Sequence, residues 1–361
     1  MSPLVSIVVP VFNAAPFLEG CLANLSGQGL APEEYEVVLV DDGSTDGSSS
    51  LCDQLAAAAL TGQVRVLHQR NQGAGAARNA GMDAARGTYL YFFDADDQLS
   101  QGALRTLVDR CEEEWLDVLF FSGEIDFESE QVRRLSHLGE GYCRRRQLPG
   151  ACSGEEMFIA QQEADNFIAQ PCLMVSRLDF VRRAQARFAE GIVNEDNLFV
   201  LLATVRASRV DVDPASYYRY RVRGGTVTTS NHGGFRRFDA HLALAIEFDH
   251  ERLRALDQGK RELAQAIAKV SDWFLYLALE AYLGLGEGCP EPTTEDPFGL
   301  SLYRQLLRPL AEERRCRQDL EGRVEALEAR LDEMEGSTTW RVGSALTALP
   351  RALKDACCPA R

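Results

Sequence analysis

The chain has 361 residues, enough for one large domain with additions or for two domains. Apolar residues make up 45% of it, which supplies a sizeable core and excludes wholesale disorder. With 38 basic and 54 acidic residues the net charge is −16, which argues against an extended nucleic-acid surface. Any anionic nucleotide would need local cations, from a metal or from a few arginines.

In chain order, residues 4–11 are an apolar, β-branched run that ends in Pro10-Val11-Phe12-Asn13 and predicts a first strand. Residues 14–26 carry helical spacing through Phe17, Leu18, Cys21, Leu22 and Leu25. Glu36 to Val40 is a second buried strand, stopped by Asp41-Asp42-Gly43-Ser44-Thr45-Asp46-Gly47, a turn with capping residues for the next helix, over 48–60. A third strand at 64–67 leads to Asn71-Gln72-Gly73-Ala74-Gly75-Ala76-Ala77-Arg78-Asn79-Ala80-Gly81, a Gly-rich loop opening an Ala-rich helix.

The next strand, Tyr89-Leu90-Tyr91-Phe92-Phe93, is apolar on both faces and runs straight into Asp94-Ala95-Asp96-Asp97. Unpaired carboxylates are costly inside a sheet but useful at its C-terminal edge, where open α/β sheets bind ligands. Three hard oxygen donors side by side call for a divalent ion such as Mg²⁺ or Mn²⁺, itself gripping a diphosphate. A helix at 101–113 and a strand at 117–121 follow, and the alternation predicts a mostly parallel, right-handed α/β sheet. All four loop motifs would then converge on one edge.

From about 124 to 170 the pattern loosens into charged and Gly-rich segments. Residues 171–183 and 195–206 read as helical or partly so, flanking Phe188 to Asp196. The alternating Tyr217-Tyr218-Arg219-Tyr220-Arg221-Val222-Arg223 would set its three arginines on one strand face. Residues 236–285 are helical in spacing, and 286–297 read as a linker. Leu320, Val324, Leu327, Leu331 and Met334 then step by 4, 3, 4, 3, a short heptad pattern. The tail mixes Trp340, Leu346, Leu349 and Leu353 with Arg341, Arg351 and Lys354.

Taken in order, Ser6-Ile7-Val8-Val9-Pro10-Val11-Phe12-Asn13, Val40-Asp41-Asp42-Gly43-Ser44-Thr45-Asp46, Asn71-x-Gly73-x-x-x-Ala77-Arg78-Asn79-x-Gly81 and Phe93-Asp94-Ala95-Asp96-Asp97 resemble the inverting family 2 glycosyltransferases of the GT-A fold. The resemblance covers about residues 4–226. It implies a nucleotide-diphosphate sugar as donor, with Phe12 against the base, Asp42 accepting from base or ribose, and Arg78 near the nucleotide. Asp94 would face the ribose, and Pro10, Asn13, Asn71 and Ala95 complete the donor-binding set. The metal would fall to Asp96 or Asp97, with Asp96 favoured, and His232 could complete its shell.

Asn194-Glu195-Asp196 resembles the family's Glu-Asp motif, which makes Asp196 the expected base and Glu195 a positioning or acceptor-side acid. Arg219, Arg221 and Arg223 would offset charge on the departing diphosphate. The Gln-x-x-Arg-Trp motif of processive members is not in this sequence, which favours transfer of one or a few sugars.

The resulting organisation is a glycosyltransferase domain over 1–232, a helical extension over 233–310, a coiled-coil-like helix over 311–336 and an amphipathic basic tail over 337–361. Residues 312–335 would pair two chains, and the tail would contact an anionic membrane, suiting a glycan or lipid-linked acceptor in bacterial surface-polysaccharide synthesis. Ten cysteines without CxxC spacing, no leader-like N-terminus and no membrane-length apolar run predict a cytoplasmic protein, peripheral on the inner membrane face. The competing readings are a sugar nucleotidyltransferase and a non-catalytic nucleotide-sugar-binding scaffold. The first would carry a Gly-rich loop with Arg and Lys after the first strand, where this chain has Phe12-Asn13-Ala14-Ala15.

Overall fold

Strands β1 (Val5–Val11), β2 (Tyr35–Asp41), β3 (Val64–His68) and β4 (Tyr89–Phe92) alternate with helices α1 (Ala15–Ser26), α2 (Ser48–Ala58) and α3 (Ala74–Ala84). This computed structural model describes residues 2–59, 63–136, 148–224, 235–283 and 293. The chain divides into two units, residues 1–231 and 232–361.

In the first unit β3, β2, β1 and β4 are neighbours and parallel, so the loops that leave them share one edge. The four residues of β4 are all buried, as an apolar run without alternation requires. Pro10 is tolerated inside β1 because of where its nitrogen faces. Phe93 N–H donates to Val8 O on the β4 side, whereas Asp42 N–H donates to Val11 O on the β2 side. Pro10 therefore faces β4 two residues beyond the last β1–β4 pair, Val8 with Phe92, and no bond of that ladder is lost. Helix α3 lies close on the sheet through Gly81, where a Cβ would come 2.3 Å from Val8 Cγ1.

Beyond β4 the sheet is mixed. Strands β5 (Gln98–Leu99), β6 (Val118–Phe127), β7 (Met174–Arg177) and β8 (Val210–Val222) complete the order β3-β2-β1-β4-β7-β6-β8-β5. Strand β7 runs antiparallel to both β4 and β6, within a stretch, 171–183, that reads as helical or partly so. A four-residue, largely buried strand between a 3-10 turn (Pro171–Leu173) and helix α7 (Leu178–Arg183) is too short to show a period.

The loose stretch from 124 also holds structure: β6 continues to Phe127, followed by α5 (Glu130–Ser136) and α6 (Gly154–Glu163). Helix α6 opens with a full capping box between Ser153 and Glu156, a legible signal that the surrounding charge obscures. Helix α4 (Ala103–Glu113) precedes β6, and α8 (Asp196–Val205) precedes β8.

In the second unit, α9 (Phe235–Asp257) and α10 (Arg261–Leu283) are separated by a turn with Gly259 at φ 75°. Phe238, Leu242, Ile246, Ala278 and Tyr282 form their shared core, and Ser271 Oγ donates to Ala245 O at 3.0 Å. His232, the heptads at 312–335 and the basic tail at 337–361 lie outside the described residues. Among the described residues no helix is long and apolar enough to cross a membrane.

Candidate active site

Two adjacent acids close the end of β2. Asp41 and Asp42 are each 3% exposed. Asp42 accepts hydrogen bonds from Gln69 Nε2 at 2.7 Å, Gln72 N–H at 2.9 Å and Gly73 N–H at 2.8 Å. In this structure its carboxylate is thus turned onto the Gly-rich loop rather than outward to a base or ribose. A buried carboxylate needs such donors, and the loop's backbone supplies them.

Asn13, at φ 51°, plays the same part for the neighbouring turn. Its N–H donates to Ser44 Oγ at 3.0 Å, and its Oδ1 accepts from Thr45 N–H at 2.8 Å. Phe12 beside it is 51% exposed at the same edge, an accessible aromatic face. Asn71 is exposed on the loop after β3, and Ala95 is buried beneath the acidic turn.

Arg78, 6% exposed on α3, is the hub. Its Nη2 donates to Asp94 Oδ1 at 3.0 Å, and its Nη1 to Glu195 Oε1 at 2.9 Å and Asp196 Oδ1 at 3.1 Å. One guanidinium so joins the acid after β4 to a pair more than a hundred positions further along the chain. Its carbon lies 5.5 Å from the centroid of Phe188. The side chain expected beside the nucleotide is therefore enclosed by carboxylates, which hold its charge firmly on.

The segment carrying Glu195 and Asp196 is seated by three devices. Phe188 stacks on Phe199 at 4.2 Å between centroids, and both meet Phe92 of β4 edge-on. Asn79 brackets the backbone of Phe188, donating to its carbonyl at 3.0 Å and accepting from its N–H at 3.1 Å. Gly75 lets the segment approach α3, because a Cβ there would meet Ala189 O at 2.7 Å and Glu195 Cγ at 3.0 Å. Asn79, Phe188 and Gly75 were not among the predicted site residues. Their signal lay in the same motifs, but a long-range seating role has no periodicity to reveal it.

Burial pushes the Asp196 carboxyl well above the usual range; Glu195 and Asp94 add to the effect, and Arg78 opposes it. The Asp196 side chain nonetheless keeps 20% of its surface exposed. A partly exposed carboxyl whose pKa is raised in this way is suited to accepting a proton.

Asp96 and Asp97 separate clearly. Asp97 is 4% exposed, with Oδ1 accepting Arg221 N–H at 2.7 Å and Oδ2 accepting the Tyr218 hydroxyl. Both its oxygens serve the turn, which disfavours it as a metal ligand. Asp96 keeps 30% of its side chain exposed and meets Arg223, whose guanidinium lies 4.0 Å from the Phe17 ring centroid. Burial and the neighbouring Asp94 raise the Asp96 carboxyl, and Arg223 counters them.

Of the three arginines expected to act together, Arg223 brings its guanidinium to the acids, Arg221 contributes a backbone N–H, and Arg219 is exposed beside Gln98. Among the described residues no group of three or more His, Cys, Asp or Glu side chains is arranged to hold a metal. A divalent ion that keeps waters and takes phosphate oxygens needs only one or two protein carboxylates, and Asp96 fits that donor set.

These motifs match known proteins. The Glycosyl transferase family 2 profile covers residues 6–176. Glycosyltransferase GlyG of Streptococcus pneumoniae serotype 4 is 39% identical over 232 residues, 63% of this chain and 73% of GlyG. EpsJ of Bacillus subtilis strain 168, an uncharacterized glycosyltransferase, is 33% identical over 229 residues, and the chain spans 64% of its length. The structure of S. aureus TarS 1–349 with UDP-GlcNAc has a similar fold, with a TM-score of 0.55 at 18% identity over 78% of this chain and 83% of TarS 1–349. The ordered motifs, the shared sheet edge and the extent of the match to GlyG lead to one conclusion: the chain belongs to glycosyl transferase family 2.

Proposed function

We propose that this chain transfers a sugar, with inversion, from a nucleotide-diphosphate sugar to a hydroxyl of a glycan or lipid-linked acceptor in bacterial surface-polysaccharide synthesis. The observation that carries the reading is the Arg78 hub, which gathers Asp94, Glu195 and Asp196 at the edge where the β1, β2 and β3 loops also end. Phe12 offers the nucleoside a flat apolar surface, and the loops held by Asp42 and Asn13 shape its pocket.

In this reading the Asp196 carboxylate takes the proton of the acceptor hydroxyl as its oxygen attacks the anomeric carbon. The bond from that carbon to the β-phosphate oxygen breaks, and a nucleoside diphosphate departs. Glu195 orients the acceptor side, and Arg78 fixes both acids relative to Asp94. Asp96 would hold Mg²⁺ or Mn²⁺, a Lewis acid for the charge growing on the diphosphate. Arg223 is placed to share that charge.

The test is a single variant with two readouts. Asp196→Asn should keep nucleotide binding and lose turnover by about 10²–10⁴-fold. In the wild type, kcat/KM should rise with pH through the Asp196 pKa, because the base works only when deprotonated and burial lifts that pKa above the ordinary carboxylate range. UDP-GlcNAc is the first donor to assay. Undiminished turnover by Asp196→Asn would remove the assignment.

A further inference from the structure

His68 ends β3 at the register position of Asp41, on the edge assigned above to the donor. Its ring stands between two carboxylates. Nδ1 lies 3.0 Å from Asp41 Oδ2, and Nε2 lies 3.1 Å from Asp53 Oδ1 on α2. Ser49 Oγ, also on α2, is 3.2 Å from Nδ1. A neutral imidazole has one N–H and must turn a lone pair toward one of the two acids; only imidazolium donates to both. The geometry therefore selects the charged ring, and the two acids raise its pKa through these hydrogen bonds.

The groups facing the ring are Asp41 from β2 and Ser49 and Asp53 from α2. The Cys52 thiol between those acids is pushed up to about 12 by burial and stays neutral.

What the ring holds matters for the pocket. Asp41 is buried and accepts Ser44 N–H at 3.0 Å, so it fixes the turn whose Ser44 and Thr45 grip Asn13 beside Phe12. Its carbonyl accepts Gln69 N–H at 2.9 Å, at the start of the loop that Asp42 holds. Removing the proton from His68 breaks one of its two carboxylate bonds and loosens the join between β2, α2 and β3 where these turns begin.

We propose that His68 is a protonation-dependent positioning residue of the donor pocket, its imidazolium bridging Asp41 and Asp53 so that the 41–45 and 69–73 turns hold the shape that receives the nucleoside. This rests on the donor-site reading above. Donor affinity is highest with the ring charged and falls as pH rises through the His68 pKa, which lies above that of a free histidine.

The experiment measures dissociation constants of UDP, GDP, CDP and ADP with Mg²⁺ from pH 6 to 8.5 for wild type, His68→Gln and Asp53→Asn, with donor KM and kcat for the nucleotide that binds. Wild-type affinity should weaken by about three- to tenfold across this range. His68→Gln should bind weakly throughout, with only the pH dependence of the nucleotide itself. Asp53→Asn, changed at an exposed carboxylate, should move the wild-type transition to lower pH. The effect should fall on KM and spare kcat at saturating donor. Identical pH profiles in wild type and His68→Gln would overturn the role of His68 and leave the donor site standing. If none of the four nucleotides bound at any pH, the donor-site reading itself would fall, and this proposal with it.

Discussion

The two sides of this sheet edge are held by different physics. On the side of β1 to β3, Asp41, Asp42 and Asn13 are satisfied mainly by backbone N–H groups of nearby turns. On the side of β4 and α8, the acids are held by a buried guanidinium and a buried phenol from distant parts of the chain. The first side is a set of short loops shaped largely by neutral backbone donors, with the His68 ring against Asp41 as its charged exception. The second concentrates negative charge at low exposure, so each partner it has is hard to replace.

Arg78→Leu tests that difference most severely. It leaves Asp94, Glu195 and Asp196 crowded without their cation, and should cost about 3–5 kcal/mol in denaturant unfolding and abolish turnover. An unchanged unfolding midpoint would mean that the hub does not hold the two motifs together.

Gly75→Ala sharpens the same point without touching a charge. Its methyl group would press on Ala189 O, so a cost of about 1–3 kcal/mol and a clear fall in kcat are expected, with donor binding less affected. Equal loss of binding and turnover would show that both sides of the site move together.

Tyr218→Phe removes one donor from Asp97 while keeping the ring packed against Phe93 at 5.9 Å. Thermal or chemical unfolding should register about 1–2 kcal/mol, because the buried carboxyl loses the hydroxyl donor and keeps the Arg221 N–H.

Phe12→Ala should be the mildest change in the folded state. An exposed ring contributes little to the core, so stability should stay within about 0.5 kcal/mol. If Phe12 carries the base, donor KM should still rise about tenfold, since stacking on an aromatic face is worth roughly 1–3 kcal/mol. An unchanged KM would move the base elsewhere on the edge.

Much of this was written locally. The apolar runs of β1, β2 and β4 announce buried strands, the turn residues after each mark their ends, and parallel pairing then requires those ends to share an edge. So the grouping of Phe12, Asp42, the Gly-rich loop and Asp94 is legible in the sequence itself. Strand β7 could not be foreseen, because four residues, three of them buried, carry no period and their antiparallel direction depends on which neighbours they meet.

The roles of the charged groups divide in the same way. Residue type alone identified Asp96 and Asp97 as one acidic cluster, but their unlike surroundings come from β8, which folds back over the turn and engages both oxygens of Asp97. Arg78 was legible as a cation near anions. That its partners are Glu195 and Asp196 was settled by the aromatic seating of the 188–199 segment on β4, a contact between residues about a hundred positions apart. Sequence determines what each side chain can do; burial and long-range partners decide which of those things it does, because a carboxylate's charge and reach depend on the donors that surround it.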